Sequence, residues 1–497
     1  MVPRGSSLAC SWLLAASGCN ALWGIDELGF AGATSPTAGA GAQAGSGGAG
    51  TAAGGGGAAG GTPTPGWSRR FGDPSGAFGT DDQQAFGVAV DPAGRVLVTG
   101  SVDGVVDFDG DTLVTAGDDA FVASLELEGG AVQWARAFGD NEHQSGVAVA
   151  VKDVRAFVAG NFWGQIDLGC GAHKSATIGA HDVFFGLLDL TSGDCAFSKA
   201  VTGNGTQTVH DAGAGPTAML MVGEFFDKVN FGCGDKTANG VDAFVVALGG
   251  SGNCLLSAPY TSAALERATA VSVVPGWFVV GGDFHGEINF PSQTVAKLTG
   301  GTDQDGWVVS SDGRGALLWA ARLGGAGTET VNAVVTTGDG GAIVLLTFDG
   351  EVAADVLRVS RGGSDALVVR LSAAGKPVWS VPLGGAGDQY GRAAGLAPDG
   401  TVLVAGFFDG ALDWNATKSV GAEDIFVAAL SEQGQPLWLR TFGDAASQRA
   451  SDLAIVPGGD FYVLAGAFEG TLDLGHGPLV SAGGVDAFVA KLPIAGP

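Results

Sequence analysis

The chain has 497 residues, 88 of them glycine, and its 51 acidic side chains against 24 basic ones give a formal net charge of −27. A surface this acidic repels a phosphate backbone, which argues against nucleic acid as a partner. No apolar run reaches the roughly 18 residues that a membrane-spanning helix needs.

Residues 1–19 read as an export signal with a lipobox-like end. Arg4 supplies the positive start, and Leu8 to Ala16 form a short apolar stretch. Ala16-Ser17-Gly18-Cys19 then places small residues ahead of a cysteine that would carry a lipid. Alanine stands at 16 where leucine is usual, so an ordinary signal peptide is the alternative. MVPRGS at the start also matches the tail of a thrombin-cleavage tag. Residues 20–66 are rich in Gly, Ala, Ser, Thr and Pro. With so little apolar bulk to bury, they are expected to form a disordered tether between the anchor and a folded domain.

From Trp67 to the end the chain repeats itself. An aspartate opens an apolar run at Asp119, Asp182, Asp242, Asp305, Asp365, Asp424 and Asp486, at intervals of 59 to 63 residues. A second anchor recurs at Trp134, Phe197, Leu256, Trp319, Trp379 and Trp438, with Trp67 ahead of the series. A fixed period of this size marks a repeat architecture. Each unit reads as four short strands, a to d. In the first they are 86–91, 96–100, 119–127 and 131–138, rich in Val and aromatics and bounded by Gly, Asp and Pro.

Strands apolar on both faces must be covered on both sides. The expectation is an all-β fold, a β-propeller of four-stranded blades over 67–497. The chain opens on a lone strand d (GWSRRFG, 66–72) and ends on a strand c (DAFVAKL, 486–492). The strand order therefore predicts seven blades, with the N-terminal strand completing the C-terminal blade and closing the ring.

The exits of strand b share the pattern G-x-F-x-G-x-[ILV]-[DN]-[FL], as in 160–168, 282–290 and 466–474. The fifth unit departs, with Leu346-Thr347 at its start and Ala353-Ala354 at its end. Together with the DAFV-type strand c and the Trp…Phe-Gly strand d, this pattern resembles the SBBP-type β-propeller repeat of bacterial surface proteins and lipoproteins. The resemblance covers roughly 67–492. It implies an exported, often lipid-anchored protein, placed at the outer membrane, the cell surface or the periplasm, and it implies no defined reaction.

Cys170 and Cys233 occupy one repeat position, and Cys195 and Cys254 another. Two equivalent disulfides, Cys170–Cys195 and Cys233–Cys254, are expected, and with them an oxidising compartment. A zinc site is the alternative, though no C-x-x-C spacing occurs.

Asp107, Asp109 and Asp111 alternate as at the start of a calcium loop, but Thr112 stands where its glycine belongs. The bland reading is a solvated turn, and no metal is expected. Nothing in the sequence calls for a cofactor. The six histidines show no metal-ligand spacing, no nucleophile elbow occurs, and His, Tyr and Arg are not concentrated along the chain. A residue repeated seven times, like the strand-c aspartate, reads as structural. The Trp-bearing hairpin also resembles quinoprotein propellers, but only Thr191-Ser192-Gly193 approaches their turn.

The expectation is a monomeric binding or scaffold module, not an enzyme, with a protein or polysaccharide partner and a membrane link only through the lipid. A propeller hydrolase, lyase or quinoprotein and a calcium-dependent adhesin are the alternatives. Antiparallel neighbours put the b–c and d–a connections on one face, where loops carry function. Candidate ligand contacts there are Asp140, Glu142, His143, Trp163, His285, Asp388 and Tyr390.

Overall fold

The computed structural model describes residues 66–73, 82–177, 179–292, 295–482 and 484–496. The expected signal segment, the lipid site Cys19 and the tether as far as residue 65 lie outside the described residues. The described residues fall within one compact unit.

Among them, seven four-stranded antiparallel sheets carry the fold. In the first, strands a to d are Gln83–Val90, Arg95–Val102, Asp119–Glu126 and Val132–Phe138, in that order across the sheet. Every residue of Asp119–Glu126 except the last is buried, as a strand covered on both faces requires. Five further sheets repeat the plan. The last consists of Gln448–Ile455, Phe461–Phe468 and Asp486–Pro493, and its fourth strand is Trp67–Phe71. There Trp67 pairs with Lys491 and Phe71 with Ala487.

The core is divided among the sheets. Leu97 and Val122 of the first sheet pack with Val149 and Val158 of the second. Corresponding clusters join each later sheet to its successor. One more cluster joins Val463 and Val489 of the seventh sheet to Val88 and Val98 of the first. Backbone bonds follow the same path. The amide at the start of strand a bonds the carbonyl just before the strand-c aspartate of the preceding sheet, as in Gln144 N to Asp118 O (2.6 Å) and Gln83 N to Val485 O (2.8 Å).

The strand-d anchor has a specific seat. Trp134 donates its indole N–H to Leu190 O at 3.0 Å, and Trp67 does the same to Leu127 O at 2.7 Å. Each ring lies over the c–d turn of the next sheet. A Cβ at Gly193 or Gly130, both at positive φ, would come within 2.7 Å of the Trp134 or Trp67 ring.

Two expectations need correction. Strand a begins three residues earlier than its apolar run, at a buried Gln or Glu: Gln83, Gln144, Gln207, Glu266, Glu329, Gln389 and Gln448. A polar residue at a strand start is a weak strand signal, which is why composition misses it. The b–c connections are also not loops. They form hairpins such as Val105–Phe108 with Asp111–Val114. In the third and fourth sheets, strands b and c simply run on, as Met219–Asn230 with Asp235–Leu248 and Trp277–Asn289 with Lys297–Asp312. The G-x-F-x-G pattern is thus a hairpin signature whose apolar position is plugged inward: Val106, Ile166, Ile288, Val352 and Leu412 are buried.

Both cysteine pairs form disulfides, Cys170–Cys195 and Cys233–Cys254, each with Cα atoms 5.6 Å apart. Each bridge staples the b–c connection to the start of strand d. No helix among the described residues is long and apolar enough to cross a membrane.

Candidate functional site

The strand-c aspartate is buried in every sheet, and in the second to the seventh its carboxylate accepts turn amides. Asp182 takes Ala176 N at 2.7 Å and Gly203 N at 3.2 Å, and Asp486 takes Ala482 N at 2.9 Å. These groups hold the chain where strand c starts and strand d ends. The candidate contacts are displayed around them.

Four of the seven candidate contacts meet where the first sheet joins the second. Trp163 N donates to His143 O at 3.0 Å. The indole lies edge-on between two imidazoles, with His143 at 4.8 Å and His181 at 4.9 Å between centroids. His143 Nδ1 is 2.5 Å from Asp118 Oδ2. Burial, and then the neighbouring His143, hold His181 below the ordinary imidazole value. Beneath them, burial followed by Asp140, Asp103 and Asp118 pushes the Asp119 carboxyl up to about 7.

Asp140 is occupied by its own loop. It accepts Glu142 N (3.0 Å), Gln144 Nε2 (2.9 Å) and Gln165 N (2.8 Å). Asp444 of the last sheet makes the equivalent three bonds, so this arrangement belongs to the repeat. Glu142 and His143 are exposed and Trp163 is half-buried.

The other three candidates lie apart from this group. His285 belongs to strand b of the fourth sheet, at the repeat position of Trp163, and its amide bonds Leu265 O at 3.1 Å. Asp388 accepts Ser364 N at 2.8 Å, and the Tyr390 ring lies tilted against Phe407 of the sixth sheet, 5.2 Å between centroids. Asp107 and Asp111 lie on the two strands of a hairpin whose turn, Asp109-Gly110, has positive φ at both residues. Among the described residues, no group of three or more His, Cys, Asp or Glu gathers as a metal site would require.

The sequence missed charged residues that the fold assembles. Each strand a carries a β-bulge three residues after its Gln or Glu, for example at His210 and Arg392. Where the third sheet meets the fourth, His210 Nε2 lies 3.8 Å from Glu224 Oε2, and Arg267 Nε lies 3.0 Å from Asp283 Oδ2. Burial pushes the Glu224 carboxyl up, but His210 and Arg267 outweigh it and hold the group below its ordinary value. Burial dominates at Asp283, which is raised despite Arg267. Where the sixth sheet meets the seventh, the Arg392 and Arg449 guanidiniums each lie 5.2 Å from the centre of the Phe407 ring. The usable signal was repeat position: these side chains occupy equivalent places in units that otherwise hold small or neutral residues.

No family model matches the chain, so the likeness to the SBBP-type repeat rests on the motifs themselves. No curated protein matches it. Among solved structures the chain is similar to BamB from Moraxella catarrhalis, at 12% identity over 82% of each chain with a TM-score of 0.33. It is similar to the WD40 propeller domain of Doa1, at 11% identity over 83% of this chain and 94% of that one, TM-score 0.41. It is also similar to the quinohemoprotein alcohol dehydrogenase of Comamonas testosteroni, at 10% identity over 87% and 76%, TM-score 0.43. The fold is a β-propeller.

The expectation that the chain is not an enzyme is corrected here. Enzymes stand among the similar structures, including quinohemoprotein alcohol dehydrogenases, a methanol dehydrogenase and a hydrazine synthase. The supposed dispersal of His and Arg, on which that expectation stood, is also not what folding produces around His210 and Arg267.

Proposed function

We propose that this chain is an exported, lipid-anchored propeller of seven blades that works as a binding or scaffold module for a protein or glycan partner. The seven sheets, the shared cores and the strand Trp67–Phe71 seated in the last sheet support one closed ring. The two disulfides support an oxidising compartment. Ala16 to Cys19 supports the lipid, and the acidic surface disfavours nucleic acid.

The observation that carries the binding reading is the group around Trp163. A large, half-exposed ring, two imidazoles and the exposed Glu142 converge on the connection-bearing face of a rigid scaffold. Aromatic and polar residues displayed together in this way are common anchors for sugars and proteins.

The test has two arms on the full chain. Cys19→Ala should abolish labelling by a palmitate analogue in the source cell envelope, and labelling that persists removes the anchor. Immobilised wild type and a Trp163→Ala/Glu142→Ala variant should differ in what they retain from an envelope protein and glycan fraction. Identical retention by a folded variant rejects this face.

A further inference from the structure

We propose that a cleft where the fifth sheet meets the sixth binds a primary alkylammonium group, such as a lysine side chain or a free polyamine carries. The cleft has a volume of about 320 Å³, at the lower end of what small-ligand sites offer. One wall is the second strand of the fifth b–c hairpin, Leu357–Val359, with Arg361 just beyond it. The other is the end of strand d, at Pro382 and Gly384, together with Asp413 of the sixth sheet. Exposure falls from the rim inward, from 59% at Leu357 and 56% at Val359 to 1% at Asp365.

Four charged side chains line the cleft. Arg358 is held by Ser380 and lies 3.6 Å from Asp355, and Arg361 pairs with Asp413. Among the described residues, Asp365 is left without an ion pair of its own. Its Oδ2 accepts Arg361 N at 3.0 Å, and its Oδ1 has no hydrogen-bond partner. Burial pushes this carboxyl up to about 6, against the Arg361 and Gly385 amides and the Arg361 charge that draw it down, so it is ionised at neutral pH. The neighbouring sheets show that the arrangement is a departure. The amide four residues ahead of the strand-c aspartate belongs to Val420 in the sixth sheet and to Ala482 in the seventh, where this one belongs to a cation. The hairpin acids Asp167 and Asp473 cap amides of their own turns, whereas Asp413 reaches across the junction to Arg361. One carboxylate is therefore in excess, on a chain whose formal charge is −27, and the field favours a cation as guest. A single open oxygen suits a compact ammonium better than a forked guanidinium, which needs two. The alkyl stem would lie along Leu357, Val359 and Pro382. This site lies at a different junction from Trp163 and does not depend on the partner proposed there.

Calorimetric titration of the full chain at neutral pH tests the cleft, with Nα-acetyl-lysine methylamide and cadaverine as amines and Nα-acetyl-norleucine methylamide as the uncharged control. At least one amine should bind and raise the melting temperature, and the control should do neither. The tighter amine names the source, a protein side chain or a free polyamine. Asp365→Asn should weaken binding by at least about tenfold, the worth of one charge-assisted bond. Asp424→Asn, at the same repeat position of the sixth sheet, should leave binding unchanged. The Arg361 side chain is 70% exposed, so Arg361→Gln should fold whatever Asp365→Asn does. It releases the Asp413 carboxylate and should tighten amine binding, which loss of a purely structural ion pair would not do. The proposal is overturned by absence of amine binding to wild type, by equal binding of the norleucine control, by amine binding to Asp365→Asn or Arg361→Gln equal to that of wild type, or by as large a loss from Asp424→Asn as from Asp365→Asn.

Discussion

The glycine that opens the strand-b exit pattern stands directly opposite an aromatic residue of strand c: Gly100 faces Phe121, Gly223 faces Phe244 and Gly282 faces Trp307. A Cβ at Gly223 would lie 1.9 Å from Thr208 O and 2.9 Å from the Phe244 ring, so no side chain fits. The fifth sheet shows the rule by breaking it twice at once. Leu346 replaces the glycine, and the residue opposite it is Leu367, not an aromatic. A second residue-scale device is the Gln at the start of strand a, which becomes Glu266 and Glu329 in two sheets. Burial, with Asp242 adding to it, pushes Glu266 up to about 8. Burial and Asp305 do the same for Glu329. The sign follows from proton binding. Between the ordinary 4.5 and about 8, the folded chain holds protons that the unfolded chain has released, so stability is full below that window and falls as pH rises through it. Glu266→Gln and Glu329→Gln install the neutral amide of the other five sheets and should flatten that fall. Urea midpoints at about pH 5 and about pH 9 measure it. Equal pH dependence in the variants and the wild type would mean that these carboxyls are not protonated in the fold.

At the scale of the element, the b–c connection and strand d are tied together in several ways. Asp167 Oδ1 accepts Gly169 N and Gly171 N, which shapes the turn that brings Cys170 to Cys195. In the next unit Asn230 Oδ1 accepts Gly232 N and leads to Cys233. Sheets without cysteines use other ties at this place: Arg358 donates to Ser380 Oγ at 2.7 Å and to its carbonyl at 2.6 Å in the fifth. The bridges close loops with sequence separations of 25 and 21 residues. Such a loop is worth about 3 kcal/mol in the chain-entropy account. A Cys233→Ser/Cys254→Ser variant should therefore lose about that much stability in urea, and reductant, which opens both bridges, should cost the wild type about twice as much without further effect on a variant lacking both bridges. A midpoint unmoved by reductant would show that the hairpins are held by their ladders alone.

For the whole propeller, the decisive element is the strand Trp67–Phe71. It contributes Trp67 and Phe71 to the core shared by the seventh and first sheets, at 7% and 1% exposure. It also contributes the Trp67 indole bond to Leu127 O and the Arg70–Asp486 ion pair, and it covers what would otherwise be the bare edge of Asp486–Pro493. Burying each of these aromatics is worth roughly 1.5–3 kcal/mol before the ladder bonds are counted. A chain starting at Pro65 should melt like the full chain, whereas one starting at Asp73 should melt well below it. Equal melting temperatures would reject the closed ring of seven blades.

The all-β class and the cysteine pairing were legible in the sequence because both rest on residue type at a fixed period, which each unit states locally. Valine and aromatic runs ending in Gly, Asp and Pro mark strands wherever they occur, and two cysteines repeated at the same offset pair in the same way. The tertiary structure decided what depends on neighbours. The buried Gln and Glu at the strand-a starts look like loop residues until the preceding sheet covers them. The b–c segments look like loops until the register of strands b and c carries their pairing outward. His210, Glu224, Arg267 and Asp283 lie up to some 70 residues apart in sequence, as do Arg392, Phe407 and Arg449 on a similar scale. The pairing of strands a and b sets His210 beside Glu224 and Arg267 beside Asp283, and the stacking of one sheet on the next sets Arg449 over Phe407; burial makes the fields among such charges strong.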